Sequence, residues 1–206
     1  MRSLVLTIFA VLLAASARAQ TTDLIISEYV EGSGTNKALE IHNGTGNDID
    51  LGIYSLVFYF NGATDGTAIA LDAVTLAEGG THVLADNDAD AALLALADQL
   101  YSGSFFNGND AIVLERDGVV IDSIGTVGVD PGTAWSCVAG SAQNHTLRRM
   151  VSICNGDDNP DDLFDLCAEW EILPSDTFDG LGEHLSDCYS VGADGNVLGE
   201  IKALYR

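Results

Sequence analysis

ISEYVEGSGTNKALEIHNGTGNDIDLGIYSLVFYFNG, from Ile26 to Gly62, is the stretch whose reading decides the fold. It alternates apolar and polar residues in short runs broken by turn formers. Leu24 to Val30, Lys37 to Asn43 and Tyr54 to Phe60 read as strands. Gly32-Ser33-Gly34 and Asn61-Gly62 read as the turns that follow them. On the first strand Leu24, Ile26, Glu28 and Val30 share a face, because side chains alternate with period two. That face should be the core, which makes Glu28 a candidate half-buried carboxylate. With Ser33-Gly34 at the centre of a hairpin, Glu28 lies opposite Leu39 and diagonal to Lys37. A Lys37 ammonium there would offset the cost of burying the acid.

Working outward, His82 to Ala85, Ala111 to Arg116 and Val119 to Ile124 also read as strands. Asp117-Gly118 sits between IVLER and VVIDS, a two-residue hairpin signature. Twenty-two glycines against three prolines suit tight turns and argue against a proline-rich linker. The spacing predicts a helix over Ala89 to Gln99, with Asp88 as its N-cap. Many short strands with one helical connection predict an all-β sandwich. Residues 156–184 read as an ordered loop, with Phe164, Trp170 and Phe178 spaced to pin it to a sheet.

Several separated segments, in order, resemble one known family. They are the opening run, Ser123-Ile124-Gly125-Thr126-Val127-Gly128, Pro131-Gly132-Thr133-Ala134-Trp135, Thr146-Leu147-Arg148-Arg149 and the stretch 156–184. Together they resemble the lamin-tail domain, and most closely its secreted bacterial versions found beside extracellular nucleases and phosphatases. The resemblance runs from about Leu24 to Cys188. It implies an immunoglobulin-like β-sandwich with one short helix and a disulfide-tied C-terminal loop region. The family motif matches at Glu28, Glu31, Asn36, Lys37 and Glu40, which are the candidate binding residues; it attaches no catalytic role to them. Tyr189 to Arg206 matches nothing in the family and is read as a C-terminal tail.

The first nineteen residues read as a secretion signal. Arg2 is a basic start, Leu4 to Ala15 an apolar core, and Ala17-Arg18-Ala19 a cleavage site. Twelve apolar residues fall short of the roughly 20 that a spanning helix needs. The expected organisation is therefore a signal over 1–19, a domain over 20–188 and a tail over 189–206. Four cysteines, Cys137, Cys154, Cys167 and Cys188, behind such a signal predict two disulfides, and no C-x2-4-C pair points to zinc. Spacing leaves all three connectivities open. The resemblance implies Cys154–Cys188, the cysteines after TLRR and after GLGEH, and so leaves Cys137 to Cys167.

Eight Lys and Arg against 31 Asp and Glu give a formal net charge of −23. Arg2 and Arg18 leave with the signal and no acid does, so the mature chain is more negative still. Such a surface repels phosphate backbones, which disfavours nucleic-acid binding, and attracts cations, basic proteins or mineral surfaces. Two acidic clusters are candidate calcium sites: Asp86, Asp88 and Asp90, and Asp157 and Asp161. Neither is an EF-hand. Ala91 and Ala97 stand where the first would need Gly and Glu, and Asp162 and Ala168 where the second would. Beyond that candidate calcium ion no cofactor is expected. His42, His82, His145 and His184 lack the H-x-x-x-H spacing for zinc, and no G-x-S-x-G elbow is present. Asn43-Gly44-Thr45 and Asn144-His145-Thr146 are glycosylation sequons.

These features predict a secreted, non-catalytic binding or attachment module whose partner is an extracellular protein or surface. Two alternatives accompany it: an accessory domain of an extracellular nuclease or phosphatase encoded apart from its catalytic domain, and an acidic calcium- or mineral-associated matrix protein. N-terminal sequencing of protein recovered outside the cytoplasm should read from Gln20. Material that still begins at Met1, or stays in the cytosol, contradicts the secretion reading.

Overall fold

The computed structural model describes residues 21–188, so the expected signal and the tail 189–206 lie outside the described residues. The chain runs β1 (Ile25–Glu31), β2 (Lys37–His42), β3 (Ile49–Asp50), β4 (Tyr54–Tyr59), β5 (Thr67–Ala70), β6 (Thr75–Leu76) and β7 (Thr81–Asp86). A single helical turn, α1 (Ala91–Leu94), leads to β8 (Gln99–Tyr101), β9 (Ala111–Arg116) and β10 (Val119–Ile124). β11 (Ser136–Cys137), β12 (Gly140–Ser141), β13 (Thr146–Arg149), a second turn α2 (Leu166–Glu169) and β14 (Trp170–Leu173) complete it. A six-stranded sheet in the order β14-β13-β1-β2-β7-β8 packs on a four-stranded sheet in the order β10-β9-β4-β5. The pairs are antiparallel except β7 with β8. This is the immunoglobulin-like β-sandwich that the segments above imply.

The core lies between the sheets because each contributes its apolar face. Leu24, Ile26, Tyr29, Leu39, Ile41, Leu84 and Leu147 meet Leu56, Phe58, Ile112, Leu114 and Ile124. Tyr29 stacks on Phe106 at 4.6 Å between ring centroids, and Phe58 meets Phe106 edge-on at 5.4 Å. The β9–β10 hairpin is the expected one: Asp117 and Gly118 both have positive φ, and Arg116 pairs with Val119.

Three expectations are corrected. The helix spans Ala91–Leu94 rather than Ala89 to Gln99, and Asp90, not Asp88, holds the N-cap position. The cause is sheet pairing. The Asp98 N–H donates to Val83 O, its carboxylate accepts from Val83 N, and Gln99 onward joins β7 as a parallel edge strand. The stretch 156–184 is not all loop, since Trp170–Leu173 pairs with β13.

The third correction sets the face of Glu28. β1 carries a bulge: Ile26 pairs with Ile41, but Glu28 pairs with Glu40, so Ser27 is the extra residue. The period-two alternation resets there. Ile26 and Tyr29 both face the sandwich core, while Glu28 and Val30 face the other side of the sheet. Glu28 is buried without being in the core, and its ion-pair partner is Arg148, not Lys37.

The bulge sits where the two sheets are fastened. β13 pairs with β1 only from Glu28 onward, which leaves the Ile26 peptide groups to find other partners. Asp122 of β10 accepts the Ile26 N–H at 2.7 Å, and Arg149 Nε donates to the Ile26 carbonyl at 3.0 Å. Asp122 and Arg149 are themselves paired at 2.5 Å, both fully buried. Asp122 also accepts from the Ser123 and Asp157 amides, each at 2.9 Å. Arg149 pairs with Glu169 and lies 4.2 Å above the Trp170 ring. The carboxylate and guanidinium are thus hydrogen-bonded on several sides, the condition under which a buried pair persists.

Candidate functional site

The outer face of the six-stranded sheet carries Glu28 and Glu40, and a strap formed by residues 174–188 covers it. After β14 the chain turns back across the sheet. Phe178 and Leu181 pack against Val30, Ala38, Val83, Ala85 and Leu93, a second apolar cluster outside the main core. Asp176 accepts from Ser33 N and Oγ at 2.9 and 2.7 Å. Thr146 Oγ1 donates to the Thr177 carbonyl at 3.0 Å. The far end is held by Cys154–Cys188, and Cys137–Cys167 ties β11 to α2. Closing the loop between Cys154 and Cys188, 34 residues apart, is worth about 3–4 kcal/mol in the chain-entropy account.

All five motif residues are buried. Glu28 Oε2 accepts from Arg148 Nε at 3.0 Å, and Arg148 Nη2 also donates to Asp179 of the strap. Lys37 Nζ meets Glu31 Oε1 at 2.6 Å, while Glu31 Oε2 accepts from the Asn144 amide. Asn36 Nδ2 donates to Asp90 and Asp176, and its Oδ1 accepts from Asp90 N. Glu40 accepts from Ser27 Oγ and from Gly182 N of the strap, both at 2.6 Å. Gly180 is fitted to this contact: a Cβ there would run into both Arg148 Nη2 and Glu28 Oε2. The structure therefore brings Glu28, Asn36 and Glu40 together in the seam between the first hairpin and the C-terminal strap, while Glu31 and Lys37 pair on the other side of that hairpin.

The seam holds two adjacent acids with incomplete compensation. Burial pushes Glu40 up to about 7, with Glu28 adding to the rise against the bonds from Ser27 and Gly182. Burial also raises Glu28, against Arg148. Beside them His42 and His184 lie with ring centroids 4.8 Å apart. Burial lowers His42 and brings His184 down to about 4, with His42 and the two arginines adding to the second shift. Glu28 Oε1, His42 Nδ1 and His184 Nε2 are buried with no protein hydrogen-bond partner.

The other candidates stand apart from this seam or at its edge. Asp86 Oδ1 accepts from Asp88 N, and Asp90 is taken up by Asn36. Asp157 Oδ1 accepts from Asn159 N, and Asp161 is exposed. Among the described residues no group of three or more His, Cys, Asp or Glu is placed to hold a metal ion. In the first sequon Asn43 is wholly buried and its Nδ2 donates to the carbonyls of Asn47, Leu76 and Ala77. Asn144 is exposed. Sequence reasoning missed Asp122, Arg149 and the pairing of His42 with His184. A lone acid in the apolar run VVIDSI was the available signal for Asp122; nothing local marks the histidine pair.

The raised Glu40 carboxyl makes stability depend on pH, with a definite sign. A carboxyl raised above its ordinary value stabilises the fold below about 4.5, and that stabilisation is lost as pH rises through about 7. Glu40→Gln removes the titration. In urea unfolding the variant should gain on the parent between pH 5 and pH 8 by up to about 3 kcal/mol, since each tenfold change in a protonation equilibrium is worth about 1.4 kcal/mol. A difference that does not change with pH contradicts the assignment.

No helix among the described residues is long and apolar enough to cross a membrane. A search of curated proteins returns no match. Residues 17–128 match the family model for the lamin tail domain. β13, β14 and the strap lie beyond that match, although β13 pairs directly with β1. With more than half of its length matched, the chain belongs to the lamin tail domain family.

Proposed function

We propose that this protein is a secreted, non-catalytic module that binds or attaches to an extracellular partner through its acidic surface. The observation that carries the reading is the use made of the motif residues. Glu28, Glu31, Asn36, Lys37 and Glu40 are all buried and bonded to the chain itself, so their chemistry is spent on closing the sandwich. What is left for a partner is the surface, and a net charge of −23 makes that surface attractive to basic proteins or cationic material and repellent to nucleic acid. Membership of the lamin tail domain family and two disulfides agree with an extracellular module.

Two measurements test this. Purified protein should leave DNA, RNA and a generic phosphate ester intact with magnesium, calcium or manganese. Immobilised protein should retain a basic partner from the extracellular milieu at low salt and release it as salt rises, because screening shortens the reach of surface charge. Turnover that co-purifies with the chain and is lost in Glu28→Gln contradicts the non-catalytic reading. Retention that does not change with salt contradicts the electrostatic one.

A further inference from the structure

His42 closes β2 on the outer face of the six-stranded sheet, and His184 reaches it from the strap. Both rings line a cavity of about 200 Å³, together with Gly44, Glu78, Gly79 and Ser186. His42 is only 4% exposed. Its Nδ1 is buried and has no hydrogen-bond partner. His184 Nε2 is likewise buried and without a partner. With metal–nitrogen bonds near 2.0–2.1 Å, two imidazoles on one tetrahedral ion have centroids about 5 Å apart; here the separation is 4.8 Å.

We propose that His42 and His184 form a two-imidazole site for a divalent transition-metal ion, Zn²⁺ or Ni²⁺, with water from the cavity filling the remaining positions. Imidazole nitrogen selects such ions over the hard cations calcium and magnesium, which prefer oxygen. Burial lowers both rings from the usual imidazole range, which favours the neutral form that ligates. The two ligands come from the sheet and from the strap, so the ion would bind the closed strap better than an open one and stabilise the seam by mass action.

The test is isothermal titration of the tag-free protein with zinc and with nickel, beside calcium and magnesium, and repeated on three variants. The parent should bind one zinc ion per chain, and its melting temperature should rise with zinc far more than with either hard cation. Loss of a residue that merely hydrogen-bonds a metal ligand costs about 10–100-fold in affinity, so His184→Ala should weaken zinc by roughly tenfold or more. It should melt like the parent without metal, since His184 lies on the partly exposed strap. His42→Asn should weaken zinc to a similar extent, while His145→Ala, on a separate loop, should bind as the parent does. Zinc binding that is not saturable, that is matched by calcium, or that is unchanged in His184→Ala overturns the proposal.

Discussion

The buried pair of Asp122 and Arg149 is the constraint on which the rest of the structure depends. One sits on the edge strand of the four-stranded sheet and the other on β13 of the six-stranded sheet. Between them they take up the N–H and carbonyl of Ile26, the residue just before the β1 bulge at Ser27. Without those partners two backbone groups would be buried unpaired, at a cost of about 1–3 kcal/mol each. The bulge in turn decides which side chains of β1 face the core. The same pair therefore holds the sheets together and sets the register that turns Glu28 toward the strap.

This explains what could be read from the residues in order and what could not. The Asp117-Gly118 hairpin was legible because a two-residue turn with two positive φ values has few sequence solutions. The sandwich was legible because alternation is a property of each strand alone. Glu28 was misplaced by one face because the bulge is stabilised by residues about a hundred positions away, which no local period records. α1 was overestimated because its last residues make better bonds as an added strand beside β7 than as another helical turn. The short strands β3, β5, β6, β8, β11 and β12 are held by their neighbours rather than by any pattern of their own. The candidate site divides in the same way. The motif residues were visible as polar exceptions in apolar strands, but their partners, Arg148, Asp176, Gly182 and Asn144, came from the other end of the chain.

The consequence for function is a division of labour between inside and outside. Polar residues that look available in the sequence are consumed within the chain, Glu28, Asn36 and Glu40 in a seam that fastens the first hairpin to the last strap and Glu31 and Lys37 in a pair of their own. Two disulfides reinforce that end, where the chain has little regular structure of its own. The seam is not fully satisfied, since an acid lifted to about 7 and a histidine lowered to about 4 share it with unpartnered nitrogens. On the proposed reading, ions and protons couple there to the closure of the strap, and the acidic exterior is left for the partner.

The central claim, that Asp122 and Arg149 act as one unit fastening the sheets, is tested most directly by a double-mutant cycle in chemical unfolding. Asp122→Asn, Arg149→Met and the double variant are compared with the parent, disulfides intact. Each single change should cost about 3–5 kcal/mol, because it leaves a buried charge without its partner. The double variant should cost less than the sum of the singles by more than about 1.5 kcal/mol. Costs that are small and simply additive would contradict the account.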